Sequence, residues 1–261
     1  MGAGILLAAS GVFHVVVWLA SGSPSLGGAV SWRKPIEFGL SGGVTALTLA
    51  WVLGRLPRSS FVDWMIAVGV AFFVPETILV DLQQWRGVPS HFNVRTPFDA
   101  ALFDAMAVGI GVVVLAIALV TVRSIGRVNG GPATALAIRT GLLFLLVGQV
   151  LGGLIIANYF STDVPIENAS IVGAAGQLKV PHALALHGIQ VLAILAVILE
   201  HTRVSARAAV TAVACCALGY GLLLAAATLQ TYSGLSPLAL TPLALLASLV
   251  GGSSSPGPIC A

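Results

Sequence analysis

Charge is scarce in this sequence. Asp and Glu number 9 and Lys and Arg 12 among 261 residues, so 8% of the side chains are charged, against about 25% in a soluble domain. So few charges could not cover a fold in water, and 57% of the residues are apolar, at a mean hydropathy of +1.02. The bilayer is therefore the solvent for most of the chain, and membrane lipid is its first partner. Cysteine is nearly absent too. Cys215 and Cys216 adjoin within an apolar run and Cys260 lies near the C-terminus, which excludes a disulfide framework and a cysteine metal motif. The basic residues are dispersed in short connections, which excludes a nucleic-acid-binding surface. The first apolar stretch, 4–20, lacks a basic flank and contains His14; it reads as a first span rather than a cleaved signal peptide.

What is there is a succession of apolar runs long enough to cross a bilayer: 3–21, 36–55, 62–82, 99–122, 138–159, 181–200 and 208–229. A short run at 236–250, holding Pro237 and Pro242, is a candidate eighth. The expected fold is all-α, a polytopic transmembrane helical bundle forming one domain over 1–250, with a flexible Gly/Ser/Pro tail at 251–261. Side A, that of the N-terminus, carries Arg55, Arg58, Arg123, Arg127, Arg139, Arg203 and Arg207 in its loops, and side B carries Arg33, Lys34, Arg86, Arg95 and Lys179. The positive-inside rule then places side A in the cytoplasm and side B outside. Trp18, Trp32 and Trp85 near side B, with Trp51 and Trp64 near side A, suit interfacial belts.

The remaining ionisable residues are unevenly shared. Only Asp63, Glu200 and His201 belong to side A. Glu37, Glu76, Asp81, Asp99, Asp104, Asp163 and Glu167 belong to side B, with His14, His91, His182 and His187. At 1.5 Å per helical residue, Glu76, Asp104, His187 and His14 lie roughly 7–10 Å inside the side-B helix ends. Ionisable groups at that depth normally face a cavity or one another and point to a functional site; satisfied interhelical hydrogen bonds are the alternative.

Three segments supply most of this chemistry. In Trp32-Arg33-Lys34-Pro35-Ile36-Glu37, Pro35 suits a first helical turn and Glu37 the positive end of the helix. In the run from Pro75 to Asp99, Pro75 frees the carbonyl of Ala71 and is expected to kink the third span beside Glu76. Gln83 shares the face of Glu76, and Arg86, Ser90, His91, Asn93 and Asp99 follow, with Thr96 or Phe98 as helix cap. The third segment, Lys179 to Gln190, starts a helix at Pro181. His182 and His187, five apart, diverge around that helix, whereas His187 and Gln190, three apart, share a face.

At these residues the sequence resembles a widespread bacterial family of polytopic membrane proteins of uncharacterised activity. The family shows Trp-x-Lys-Pro at the start of a span (here Trp32 to Pro35), then Arg-Gly-x-x-Ser-His-Phe-Asn (Arg86 to Asn93). Pro-x-Asp-Ala (Pro97 to Ala100) and Pro-His-x-x-x-Leu-His-x-x-Gln (Pro181 to Gln190) follow. The resemblance covers most of the chain and implies a shared polar site, with no reaction attached.

The leading expectation is an intramembrane enzyme in the outer half of the bilayer, acting on a lipophilic small molecule with an anionic or polar head. Glu76, Asp81, Asp104 and His91 are the candidate catalytic residues, and His91, His182, His187 and Glu76 the candidate ligands of a zinc or iron ion. Lys34, Arg86, Asn93, Lys179 and Gln190 would bind the substrate. One alternative is a haem b electron-transfer protein with His14 and His187 as axial ligands. Another is a cofactor-free, terpene-cyclase-like acid catalyst using Glu76, Asp81 or Asp104. A transporter or sensor is the non-enzyme reading. A faint echo of Lys34-Pro35 in Lys179-Val180-Pro181 is compatible with duplicated halves.

Overall fold

In a computed structural model, which describes residues 1–239, seven helices are long and apolar enough to cross a membrane. They are α1 (Gly2–Ala20), α2 (Arg33–Arg55), the broken pair α3 (Ser60–Ala71) and α4 (Phe73–Trp85), α5 (Pro97–Ile125), α6 (Pro132–Ser161), α7 (Lys179–Glu200) and α8 (Ala206–Tyr232). The all-α bundle expected from the apolar runs is the fold observed. Val108, Leu115, Val150, Ile194 and Leu218 stand exposed on its flanks, as lipid-facing side chains do. From α2 onward the helices start before the apolar runs, because their first turns are polar and well terminated. Pro97 and Pro132 sit in first turns where no N–H is needed, and Thr96 Oγ1 accepts from the Asp99 amide at 3.1 Å. The candidate eighth span, 236–250, is described only to residue 239, where the chain is turning. Its remainder, and the tail at 251–261, lie outside the described residues.

The expected irregularity beside Pro75 is present. The third span divides at Phe72, whose amide bonds back to Gly69 O at 3.1 Å, a tighter turn than the α-helix makes. Proline at 75 cannot donate to the carbonyl of Ala71, so the helical ladder is open there. Glu76 consequently stands in the first turn of α4.

Glycine sets the spacing of α1 and α2. A Cβ on Gly39 would fall 2.4 Å from the backbone nitrogen of Gly11, and one on Gly43 would fall 2.7 Å from that of Ala8. The two backbones are thus in direct contact, the arrangement small residues permit between membrane helices. α6 and α7 meet similarly where Gly141 receives Ile189 and Gly188 receives Phe144.

The two ends of the bundle differ. At side A, buried Leu49, Val52, Leu56, Ile66, Val113, Ile117, Val120, Ile138 and Leu142 fill the interior. The charges there tie helix ends together. Arg55 forms a paired bond with Glu200 (2.8 and 2.9 Å), which also accepts from Thr134 at 2.7 Å. Arg123 meets Asp63 at 2.5 Å, and Arg139 donates to the carbonyls of Ser124 and Gly126. Side B is roofed by the 86–96 loop, a 3-10 turn (Ile166–Asn168) and a two-stranded ribbon, β1 (Ile171–Val172) against β2 (Gly176–Gln177), antiparallel with Ile171 opposite Gln177. Asn158 Nδ2 anchors that roof by donating to the carbonyls of Ala169 and Ile171.

Candidate functional site

One face of α2 organises the polar interior of side B. Lys34, Phe38, Ser41 and Thr45 follow at spacings of four, three and four, which stack them in a single row. Each meets a partner from elsewhere in the chain. Lys34 Nζ donates to Ser90 Oγ at 3.3 Å. The Phe38 ring lies 5.2 Å from the His91 imidazole. Ser41 Oγ is 3.2 Å from His187 Nε2, and Thr45 Oγ1 is 3.2 Å from the amide of the buried Gln190. The row descends about 16 Å at the helical rise, from the surface to the bundle's interior, and ends where Leu49 and Val52 close the core.

Glu76 enters beside this row from α4. It is 5% exposed, with Oε1 3.8 Å from His91 Nε2. Its other oxygen, Oε2, has no hydrogen-bond partner. α5 comes close there: a Cβ on Gly109 would lie 3.6 Å from that oxygen. An ammonium can only donate, so Lys34 occupies one lone pair of Ser90 Oγ, which stands 2.9 Å from His91 Nδ1. The other ring nitrogen, Nε2, is turned toward Glu76. Burial, and then the charges of Lys34 and Lys179, push the His91 pKa down to about 3, so the ring is neutral around pH 7. At 3.8 Å the His91–Glu76 pair is too far apart for a direct hydrogen bond.

The backbone is strained at this point. Phe92 follows His91 with φ +60°, outside the ordinary range for a bulky residue. Such a conformation costs about 1–3 kcal/mol and persists only where surrounding contacts enforce it. Those contacts are aromatic: the Phe92 ring lies 4.6 Å from Tyr159 and 5.7 Å from Phe103. The turn directs the His91 ring inward.

The other residues expected at the site have different surroundings. Arg86 donates to Asp99 at 2.6 Å and to Gln83, and lies over the Phe98 ring. Asp99 also accepts from Thr96 and Gln83, so this cluster is internally satisfied and fastens the 86–96 loop to α5. Asn93 is buried and accepts from the Arg95 amide within the same loop. Lys179 is exposed at the start of α7. Asp104 is exposed on the flank of α5, whereas Glu76 is buried. His182 donates from Nδ1 to Gly148 O at 2.7 Å and packs against Gly152 of α6. Glu37 is exposed and pairs with Arg33 at 2.8 Å.

The four residues expected to hold a metal thus divide among three places: His91 with Glu76, His187 with Ser41, and His182 with α6. Among the described residues no three His, Cys, Asp or Glu side chains stand close enough to hold an ion together. The donor set does not fit a protein-bound zinc or iron. Nor does the haem pair assemble. His14 donates from Nδ1 to Ser10 O at 2.9 Å and accepts at Nε2 from the Trp85 indole at 3.2 Å, so neither ring nitrogen is free for iron. Ser90 was named in the sequence only as part of the polar run, and Phe38, Ser41 and Thr45 were given no role there, although the 4-3-4 spacing from Lys34 could have found these three. Comparison with protein-family models, with curated proteins and with solved structures returned no match.

Proposed function

We propose that this chain is an intramembrane acid–base enzyme in which Glu76 and His91 handle the proton. Its substrate is a lipophilic molecule with an anionic or polar head. The observation that carries the reading is the buried Glu76 carboxyl, whose Oε1 stands 3.8 Å from Nε2 of the neutral His91 imidazole with no hydrogen bond between them. A reacting atom beside that pair would lie within reach of both groups. Lys34 bonds to Ser90 beside His91 and, with Lys179, supplies positive charge next to the imidazole. A headgroup carrying phosphate or carboxylate would meet those two ammonium groups, while Phe38 and Phe92 offer apolar surface to its chain. His187, Ser41, Gln190 and Thr45 extend the polar lining inward. Support for an enzyme over a transporter comes from side A, where the row on α2 gives way to buried Leu49, Val52 and Leu56 and the charges are spent on helix ends.

The test is product formation in nanodiscs containing phosphatidylglycerol and a polyprenyl phosphate, followed by lipid mass spectrometry. The wild-type protein is expected to convert one of these anionic lipids. Glu76→Gln and His91→Phe are each expected to lower the rate by about 10²–10⁴, the usual contribution of a positioned acid or base. Unchanged turnover in Glu76→Gln would overturn the assignment.

A further inference from the structure

His14 is buried, and the Glu76–His91 site does not use it. It belongs to a separate polar cluster where α1 meets α4. Ser10 and His14 are four apart on α1, and Asp81 and Trp85 are four apart on α4, so each helix turns a neighbouring pair toward the other. The two nitrogens of His14 have partners of opposite kind. Nδ1 lies 2.9 Å from Ser10 O, a carbonyl that can only accept. Nε2 lies 3.2 Å from the Trp85 indole nitrogen, which can only donate. Both bonds exist together only while the imidazole is neutral and its proton sits on Nδ1. A second proton, on Nε2, would set two N–H groups against each other and break the bond to Trp85.

A resting place for the protonated ring is also built in. Asp81 Oδ2 accepts the Ser10 hydroxyl at 3.0 Å, while Asp81 Oδ1 is buried with no partner. Because Oδ1 is sealed from solvent, its donor has to come from the chain itself. Among the described residues, the basic nitrogen within 4.0 Å of it is His14 Nδ1. A shift of about 1 Å closes that gap to a charge-assisted hydrogen bond of about 2.7–2.9 Å. From α2 the ring is faced by the uncharged Trp32 indole, 6.0 Å away, and from α1 by Ser10. Asp81, on α4, supplies the charge that His14 meets.

We propose that His14 is a pH-sensitive latch between α1 and the side-B end of α4. While neutral it holds Trp85, the last residue of α4. On acidification it takes one proton at Nε2, turns its Nδ1–H from Ser10 O to Asp81 Oδ1, and lets Trp85 go. The imidazole–carboxylate pair then passes from one net negative charge to none. The bond to His14 is the only one the Trp85 indole makes among the described residues, and Trp85 is otherwise exposed. Its release therefore frees the end of α4 at the point where Arg86 and the loop carrying His91 begin. The latch uses none of the residues assigned to the Glu76–His91 chemistry and operates whatever reaction that site performs.

Nuclear magnetic resonance of the full chain in nanodiscs, with nitrogen-15 in its tryptophans and histidines, tests the latch. The pH is lowered from about 8 to about 5, the range in which histidine ordinarily changes charge. The Trp85 indole signal, identified by its loss in Trp85→Phe, is expected to shift in step with protonation of His14 Nε2. In His14→Gln, whose side chain keeps a neutral donor and acceptor, the Trp85 signal is expected to stay in place. Asp81→Asn is expected to move the transition down by about one pH unit or more, a tenfold loss of proton affinity. The wild-type protein keeps the test decisive if a variant fails to fold: at the upper pH the ring beside the Trp85 indole carries its proton on Nδ1 and none on Nε2. A proton on Nε2 at that pH, a Trp85 signal that stays fixed across the range, a shift that persists in His14→Gln, or an unchanged midpoint in Asp81→Asn would each overturn the proposal.

Discussion

A carboxyl oxygen without a hydrogen bond is unfavourable inside a membrane protein, and Glu76 Oε2 is such an atom. Replacing it with a group of similar volume that needs no partner removes the penalty. Glu76→Met is accordingly expected to stabilise the fold by about 1–3 kcal/mol while abolishing turnover. Thermal unfolding in detergent, monitored beside the lipid assay, checks both halves; a lowered midpoint would mean that the carboxyl is satisfied in the native state. His91 carries a pH signature. Its pKa falls from 6.5 to about 3 on folding, so between those values the unfolded chain binds a proton that the native protein refuses. Stability is free of this penalty above about pH 6.5, declines as pH drops through that window, and levels off below about 3. His91→Phe should flatten that part of the profile. An unchanged slope between pH 6.5 and 4 would show that the imidazole titrates freely.

Among the elements, α1 and α2 depend most on the absence of side chains. Gly39→Ala would place a methyl 2.4 Å from the Gly11 nitrogen, with backbone on every side of it. The helices would have to separate, at an expected cost of more than about 2 kcal/mol. Gly111→Ala, where nothing lies within 4 Å, is expected to be neutral or stabilising, because alanine is the better helix former. Equal midpoints for the two variants would contradict the tight contact. Much at this scale was legible in the sequence, because each span needs about 20 apolar residues and Pro75 announced the interruption beside Glu76. What the sequence left open was azimuth. Depth along a helix follows from counting residues, and so Asp104 and Glu76 looked equivalent. The side a residue faces depends on how neighbouring helices pack, and Asp104 turned out to be exposed.

For the whole molecule, the side-A ion pairs act as fasteners outside the working half. Glu200→Ala, which frees Arg55 and Thr134, is expected to cost about 1 kcal/mol, to matter less in added salt, and to leave turnover intact. A loss of activity without loss of stability would tie side A to the chemistry. The same distinction explains why Arg86 and Asn93 read as substrate ligands in sequence. Their types and their place at side B suited that role, but whether a polar group is free or spent depends on partners such as Asp99, which only the assembled bundle brings to it. His91 and Glu76 stand close together because the loop and α4 are adjacent in the chain as well as in space. His182 and His187, a hundred residues further on, had no such constraint.

The interruption at Phe72 is local: the Ala71 carbonyl lacks the donor that Pro75 cannot supply, while the Glu76 amide still bonds to Phe72 O at 3.3 Å. Glu76 and Asp81 ride on the same α4 at different bearings, one facing α5 and the other α1. A roll of α4 about its own axis would therefore turn both carboxyls off their neighbours together.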